Sequence, residues 1–176
     1  MIITKTPYRI SFFGGGSDYP SWYEKNGGAV LSSTIDKYIY ITCRFSPGYF
    51  KQKYRIVWRK IENVKKINEI NHKAVRHLLK HLNIKQGLEI HYYGDLPARS
   101  GMGSSSSFTV GLMQALCKIK NIKLTRAELA KKSINFEQNI MREVVGSQDQ
   151  TSASYGGFNK ILFNKNNSIN VKRVSS

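Results

Sequence analysis

The sequence predicts an α+β fold, in which strands fill most of the first half and helices alternate with strands in the second. Apolar and polar residues alternate over 35–45, as in a half-buried strand. Thr125 and Glu128 form a capping box that begins a helix. Between these two signals, a strand-like run leads through a glycine-serine loop into an apolar helix. The length of 176 residues and the 40% share of hydrophobic residues suit one domain with a packed core.

The first half of the chain is predicted to be mostly extended. One face of the strand 35–45 is apolar and is therefore expected to face the core. Its side chains are Ile39, Ile41, Cys43 and Phe45. The predicted strands of this half are 2–13, 29–33, 35–45 and 54–58, and a helical turn is predicted over 20–25.

Helices and strands alternate in the second half. A helix follows Asn71, because apolar residues recur there at helical spacing. The segment that ends at Gly156-Gly157 is rich in Ser and Gln and is predicted to be a loop. The other predicted elements are a strand over 88–93, helices over 108–120 and 125–141, and a hairpin of strands 158–163 and 169–174.

Glu137 falls on the apolar stripe of the predicted helix 125–141, in line with Ala127, Ala130 and Ile134. A carboxylate that faces the core is unfavourable unless it is paired or binds a metal. Glu137 is therefore a candidate functional residue.

The net charge of +17 raises the possibility of a nucleic-acid partner. Eleven Lys and Arg residues lie in 51–85, against only Glu62 and Glu69. Such a block either attracts polyanions or forms a solvated face in a lysine-rich chain. We favour the solvated face, because no known nucleic-acid motif accompanies the charge.

The chain carries no sign of a membrane or secreted protein. No apolar run reaches transmembrane length, and the N-terminus lacks the order of a signal peptide, so a cytoplasmic protein is expected. Cys43 and Cys117 fit no metal-binding spacing, and we expect them to be buried, reduced thiols.

The most informative segment is 97–107, which reads Pro-Ala-Arg-Ser-Gly-Met-Gly-Ser-Ser-Ser-Ser. Its glycines permit left-handed backbone angles and leave room for a ligand. The serines then open a helix, whose first N–H groups have no partner inside the helix and attract phosphate. A flexible linker is the alternative, but a strand and an apolar helix flank the segment. It is not a Walker A loop, since no Lys follows the second glycine.

Two further loops contain residues suited to chemistry. In the first, Arg9 lies near the end of a strand, and Asp18 follows three glycines. Arg can neutralise a transferring phosphoryl group, and Asp can bond sugar hydroxyls, although an Asx turn would also explain Asp18. In the other, 146–150, Asp149 lies among amides and small residues. It could accept a proton from a hydroxyl, or simply cap a helix.

Together and in this order, the three loops resemble the motifs of the GHMP kinase family, which includes galactokinase, homoserine kinase and mevalonate kinase. Residues 9–19 are similar to the first motif of the family, and 97–107 to the second, with Met102 in place of the usual Leu. Residues 146–150 resemble the stretch that holds the catalytic aspartate. Within the family, the chain is most similar to bacterial heptose kinases. The segments that carry this closer likeness are 14–18, 28–32, 35–38 and 148–150.

This resemblance implies a fold, a reaction and a set of ligands. The implied fold is like domain 2 of ribosomal protein S5, with a mixed sheet and helices on one face. The implied reaction is ATP-dependent phosphorylation of the anomeric hydroxyl of D-glycero-D-manno-heptose 7-phosphate, with Mg²⁺, on the way to nucleotide-activated heptose.

The resemblance also implies roles for single residues. Asp149 would orient or deprotonate the sugar hydroxyl, with Arg9 stabilising the transition state beside it. Glu137 and Ser105 would hold Mg²⁺. The residues that would bind ATP are Pro97, Gly101, Met102, Gly103, Ser104, Ser105, Ser106 and Ser107. Those that would bind the sugar are Arg9, Gly15, Gly16, Ser17 and Asp18.

Family members also have a C-terminal half with a third glycine-rich motif, which this sequence does not contain. Residues 1–176 are therefore expected to be the N-terminal, ATP-binding domain, without the C-terminal domain. The expected partners are ATP and a small sugar phosphate, with neither membrane nor nucleic acid. Apolar surface left uncovered would favour a homo-oligomer.

Two alternatives remain open at this point. The acceptor could be another sugar of the family, such as fucose or galactose, although Gly15 and Gly16 replace a Glu-His pair found in galactokinases. A basic RNA-binding domain of similar fold is the alternative from another class.

Overall fold

The computed structural model describes residues 1–98 and 100–174 and has the predicted α+β architecture. The strands are β1 (Ile2–Phe13), β2 (Gly28–Phe45), β3 (Tyr54–Val57), β4 (Ile61–Val64), β5 (Leu88–Gly94), β6 (Phe158–Phe163) and β7 (Ile169–Arg173). The helices are α1 (Pro20–Asn26), α2 (Lys73–His81), α3 (Ser104–Ile119), α4 (Arg126–Asn135) and α5 (Gln148–Tyr155). A 3₁₀ turn spans Ile67–Glu69, and a π-helical turn over Phe136–Ile140 continues α4.

The strands form one mixed seven-stranded sheet organised around β2. β1 pairs antiparallel with most of β2, while β5 and β6 pair with its C-terminal and N-terminal parts. β3 lies parallel to β5, β4 pairs with β3, and β7 pairs with β6. Residues 31–33 of β2 therefore have the end of β1 on one side and the start of β6 on the other.

The core lies between the sheet and helix α3. Ile39, Ile41 and Cys43 on β2 are at most 1% exposed, as their alternation predicts, and they join the main core cluster with buried residues of α3. Phe45 was expected on the same face but is 54% exposed, because the strand ends there. Cys43 and Cys117 are buried free thiols, as expected.

Several boundaries differ from the sequence-based expectations. The extended runs 29–33 and 35–45 are one continuous strand, and α3 begins four residues earlier than expected, at Ser104. The helix expected over 125–141 remains α-helical only to Asn135. The segment expected to be a loop before Gly156 contains α5, and strand β4 was missed.

None of the helices in the described ranges is both long enough and apolar enough to cross a lipid bilayer.

Candidate active site

The glycine-serine loop is fastened to strand β1. Gly101 and Gly103 both have left-handed backbone angles, with φ of 74° and 71°, which lets the chain turn sharply into α3. The backbone N–H of Arg9 donates to the carbonyl oxygen of Met102 at 3.2 Å. The Ser107 hydroxyl donates to the carbonyl oxygen of Pro7 at 2.9 Å. The start of α3 is therefore held beside the middle of β1. Arg99, within this loop, lies outside the described residues.

Arg9 joins all three loops that the sequence singled out. Its Nε donates to Asp149 Oδ1 at 2.7 Å, and its Nη2 donates to Oδ2 at 2.9 Å, so the two side chains form a bidentate pair. Nη1 donates to the carbonyl oxygen of Gly101 at 2.8 Å. A Cβ built on Gly103 would lie 3.1 Å from Asp149 Oδ2. The carboxylate of Asp149 therefore lies directly against the loop that precedes α3.

Opposing effects set the proton affinity of Asp149. Burial raises the pKa of this carboxyl group above its usual range, the Arg9 guanidinium counteracts that rise, and the nearby charge of Asp18 adds to it. A carboxylate whose pKa is raised in this way is a better proton acceptor than a solvated aspartate, and it is still held in place by Arg9.

Glu137 lies in the π-helical turn and points into the protein, where it is 2% exposed. Its Oε2 accepts hydrogen bonds from the Ser106 hydroxyl at 2.8 Å and from the side-chain amide of Gln150. Its Oε1 is buried without a hydrogen-bond partner in the described structure. Burial raises the pKa of Glu137, and the polar side chains of Thr109, Gln150 and Ser106 near it counteract the rise.

The surroundings of Glu137 fit the Mg²⁺ ion that the resemblance implies. A hard cation prefers oxygen ligands, and the unpartnered Oε1 provides one beside the serines that open α3. Across residues 1–98 and 100–174, no three acidic, His or Cys side chains cluster as a self-sufficient metal site. Mg²⁺ usually keeps waters and substrate phosphates among its ligands. Ser106 is the serine bonded to Glu137, whereas Ser105 lies on the exposed side of the same helical turn.

The first glycine loop, 14–18, is compact and closed on itself. The Ser17 hydroxyl donates to the carbonyl oxygen of Gly14 at 2.7 Å and accepts the N–H of Ala29 at 3.1 Å. Gly16 has open space around it, and Gly15 lies next to the side chain of Gln148. Asp18 is buried, and both its carboxylate oxygens accept backbone N–H groups. A direct sugar contact by Asp18 stays a prediction, which this arrangement does not favour.

Sequence reasoning missed two residues that support the site. Gln150 bonds Glu137, and Gln138 donates to the Ser147 hydroxyl at 3.1 Å, next to the start of α5. The position of Gln150, one residue after Asp149 in a segment of small polar residues, could have drawn attention to it. Because that segment was predicted to be a loop, no inward-facing side chain was expected there.

Comparison with known proteins connects this geometry to one family. The family model described as the GHMP kinases N terminal domain matches residues 68–157. The D-glycero-alpha-D-manno-heptose 7-phosphate kinase of Campylobacter jejuni is 31% identical over 99% of this chain and 55% of its own length. The galactokinase of Streptococcus thermophilus is 29% identical over 96% of this chain and 45% of its own.

A solved structure agrees in fold. The crystal structure of a D-glycero-D-manno-heptose 1-phosphate kinase from Bacteroides thetaiotaomicron superimposes with a TM-score of 0.87 at 24% identity. The match covers 99% of this chain and 60% of that one. The chain spans about half the length of the curated relatives it matches. The family match over half of the sequence, and a relative more than 30% identical across nearly all of it, show that the chain belongs to the GHMP kinase family.

Proposed function

We propose that the chain provides the nucleotide-binding and catalytic half of an ATP-dependent sugar kinase. The observation that carries this proposal is the contact between Asp149, Arg9 and the turn at Gly103. It joins a half-buried carboxylate and a guanidinium to the N-terminus of α3. Phosphoryl transfer depends mainly on positioning and charge stabilisation, and this group of residues is suited to both.

The phosphates of ATP would lie at the turn that precedes α3. The free N–H groups at the start of a helix, together with its dipole, attract negative charge. The first turn of α3 carries no acidic residue that would repel phosphate. Gly101 also has no side chain to obstruct a ligand, and a Cβ built there would meet nothing within 4 Å.

Asp149 would act on the acceptor hydroxyl. The sugar oxygen forms a bond to the γ-phosphorus while the bond from that phosphorus to the β,γ-bridging oxygen of ATP breaks, and the hydroxyl proton passes to the Asp149 carboxylate. Arg9 keeps this carboxylate in place and brings a positive charge to the transferring group. Gly15, Gly16 and Ser17 would face the sugar.

Glu137 and the serines of the first α3 turn, Ser105 and Ser106, would hold Mg²⁺, which neutralises phosphate charge when it is bound. Glu137 has the unpartnered oxygen needed for this role. Ser106 and Gln150 fix the other oxygen and so orient the carboxylate.

The proposed acceptor is the anomeric hydroxyl of D-glycero-D-manno-heptose 7-phosphate. The motifs that resemble heptose kinases support it, as does the relative from Campylobacter jejuni, whose name gives this substrate. Because that relative is longer than the matched region, residues 1–176 are proposed to form the N-terminal, ATP-binding domain of the family pattern. The galactokinase relatives make galactose the competing acceptor.

The test measures ADP release and ³¹P NMR spectra with Mg-ATP and each of three acceptors: heptose 7-phosphate, galactose and fucose. We expect release that depends on the heptose phosphate, with a second phosphate appearing at the anomeric position. Asp149→Asn should lower kcat by about 100-fold or more, because it removes the proton acceptor. The matched control is Glu24→Gln, which changes an exposed carboxylate on α1. Absence of both Mg-ATP binding and sugar-dependent ADP release would contradict the proposal.

A further inference from the structure

Asp18 lies beneath the candidate site and bonds to the backbone of two loops. It is 1% exposed. Its Oδ1 accepts the N–H of Gly16 at 3.0 Å, and its Oδ2 accepts the N–H of Gln148 at 3.1 Å. Its own carbonyl oxygen accepts the N–H of Ser147 at 2.9 Å. One residue of the first loop thus receives three backbone donors, two of them 129 and 130 positions away along the chain.

These contacts replace a local cap for helix α5. Ser147 occupies the N-cap position, yet its side chain makes no capping hydrogen bond. Asp18 instead satisfies the N–H groups of Ser147 and Gln148, which would otherwise have no partner at the start of the helix. A carboxylate at this end also interacts favourably with the helix dipole. Asp149 is the second residue of α5, so its place depends on where the helix begins.

Gly146 is the counterpart of this cap. A Cβ built on Gly146 would lie 1.9 Å from Asp18 Oδ2, far inside contact distance. Gly146 is not among the glycines with positive φ, so an alanine could adopt its backbone angles. Position 146 therefore requires glycine only because the Asp18 carboxylate occupies the space where a Cβ would lie.

We propose that Asp18 is a positioning residue that caps α5 from the first glycine loop and thereby holds Asp149 against Arg9 and Gly103. The same carboxylate fixes Gly16, so the loop proposed to face the sugar and the helix that carries the proposed proton acceptor form one unit. The catalytic consequence rests on the proposed kinase function, whereas the structural one does not.

The proposal gives a kinetic signature different from that of a sugar contact. Removing a side chain that binds the sugar would raise the sugar KM. Removing one that positions Asp149 lowers kcat and leaves KM nearly unchanged, since ground-state binding is intact. The one acceptor oxygen of Asp18→Asn can still receive the N–H of Gly16, while the bond from the Gln148 N–H is lost. We therefore expect kcat to fall by about tenfold or more and the sugar KM to stay within about twofold.

A measurement without substrate tests the cap itself. Amide hydrogen exchange of Ser147 and Gln148, followed by NMR, should be about tenfold faster or more in Asp18→Ala and in Gly146→Ala than in the unmodified chain. Combining the two changes should add little to Asp18→Ala alone, because the carboxylate that the added methyl group would displace is then gone. The matched control Asp36→Ala should leave both amides unchanged. If Asp18→Ala does not fold, Asp18→Asn and Gly146→Ala provide the same comparison.

The outcomes separate the two proposals. Unchanged exchange in Asp18→Ala and Gly146→Ala, fully additive effects in the double variant, or a large rise in sugar KM at constant kcat for Asp18→Asn would each overturn the role of Asp18. Absence of phosphoryl transfer by the unmodified chain would instead refute the kinase proposal, and the exchange data would still decide whether Asp18 caps α5.

Discussion

Arg9 is the residue on which the site geometry depends most. It bonds both oxygens of Asp149 and the carbonyl oxygen of Gly101 through its side chain, and the carbonyl oxygen of Met102 through its backbone. A planar guanidinium suits this set of acceptors, since it presents several donors at fixed angles. A lysine at the same position would keep the charge but lose the bidentate contact.

Replacing Arg9 should therefore change the pH dependence of the reaction as well as its rate. The Arg9 charge lowers the pKa of Asp149 against the effect of burial, so Arg9→Ala should raise that pKa further. Because the proposed reaction needs ionised Asp149, the acidic limb of the pH–kcat profile should move to higher pH, and kcat should fall by about 100-fold or more. Arg9→Lys should shift the limb less. An acidic limb that stays in place in Arg9→Ala would contradict the proton-acceptor role.

Glu137 should make the free energy of unfolding depend on pH. Burial raises the pKa of Glu137 in the folded protein above its value in the unfolded chain. The contribution of Glu137 to the free energy of unfolding is therefore fully present at low pH and is lost as pH rises through the folded-state pKa. The loss amounts to about 1.4 kcal/mol for each unit of the rise. Glu137→Gln should remove this decline, measured by urea unfolding at a series of pH values.

Glu128 provides a control of opposite sign. Hydrogen bonds from Thr125 lower its pKa, so its contribution is present at neutral pH and is lost as pH falls. Glu128→Gln should accordingly weaken the fold most at neutral pH. If the free energy of unfolding still declines towards neutral pH in Glu137→Gln, a group other than Glu137 causes that decline.

At the scale of elements, the turn before α3 and the helix α5 depend on each other. Gly103 has a left-handed φ of 71°, and a Cβ there would also press on Asp149 Oδ2. Gly156, which ends α5, has a similar φ of 68° but a ψ of 161°, a combination that essentially only glycine adopts, and a Cβ there would meet nothing within 4 Å. Both positions thus need glycine for their backbone angles, Gly156 more strictly, and only Gly103 lies against Asp149.

Comparing alanine at these two glycines separates the effects. The backbone angles alone should make Gly103→Ala cost about 1 kcal/mol of unfolding free energy, and Gly156→Ala at least as much. Only Gly103→Ala should also displace Asp149 and lower kcat, by about tenfold or more, since a small misplacement of a catalytic group is costly. Urea unfolding and steady-state kinetics on both variants test this. Equal kcat values for the two would mean that the contact with Asp149 is unimportant.

The sequence predicts best those elements whose buried side chains are apolar. The alternation in β2 and the stripe of α2 reveal which side faces the core. Helix α5 has no such stripe, because three of its four buried residues, Gln150, Thr151 and Ser152, are polar. Their side chains bond to Glu137, to the carbonyl oxygen of Ser147 and to the Ser32 hydroxyl, and composition reveals none of these partners.

The same reason explains the missed strand β4. Its buried residue is Glu62, which accepts hydrogen bonds from Trp58 Nε1 at 2.8 Å and from the N–H of Asn71 at 2.5 Å. A strand of four residues with a charged inward side gives no alternating pattern. In the candidate site, the three loops could be selected from the sequence by residue type. Their bonds to one another, and the polar residues beneath them, required the structure.

At the scale of the whole molecule, the excess positive charge is distributed over solvated surface. The basic block 51–85 forms β3, β4 and α2, and most of its Lys and Arg residues are exposed. Such a surface attracts phosphorylated ligands at long range without reading a sequence.

We therefore expect weak RNA binding that salt abolishes. Fluorescence anisotropy with a short single-stranded RNA should detect binding at about 50 mM salt and lose it near about 150 mM, since about six phosphate contacts cost about 10³-fold over a similar range. Mg-ATP binding should change far less. Tight RNA binding that survives physiological salt would favour the alternative of an RNA-binding domain.

The π-helical turn at Phe136–Ile140 makes the chain sensitive to deletions in this stretch. A π-helical turn holds roughly one residue more than an α-helical turn, so this stretch acts as a one-residue insertion in the helix that starts at Arg126. Loss of any residue here would let regular α-helix continue and would rotate the following chain by about 100° about the axis. Natural variants should accordingly exchange residue types in this stretch while preserving its length.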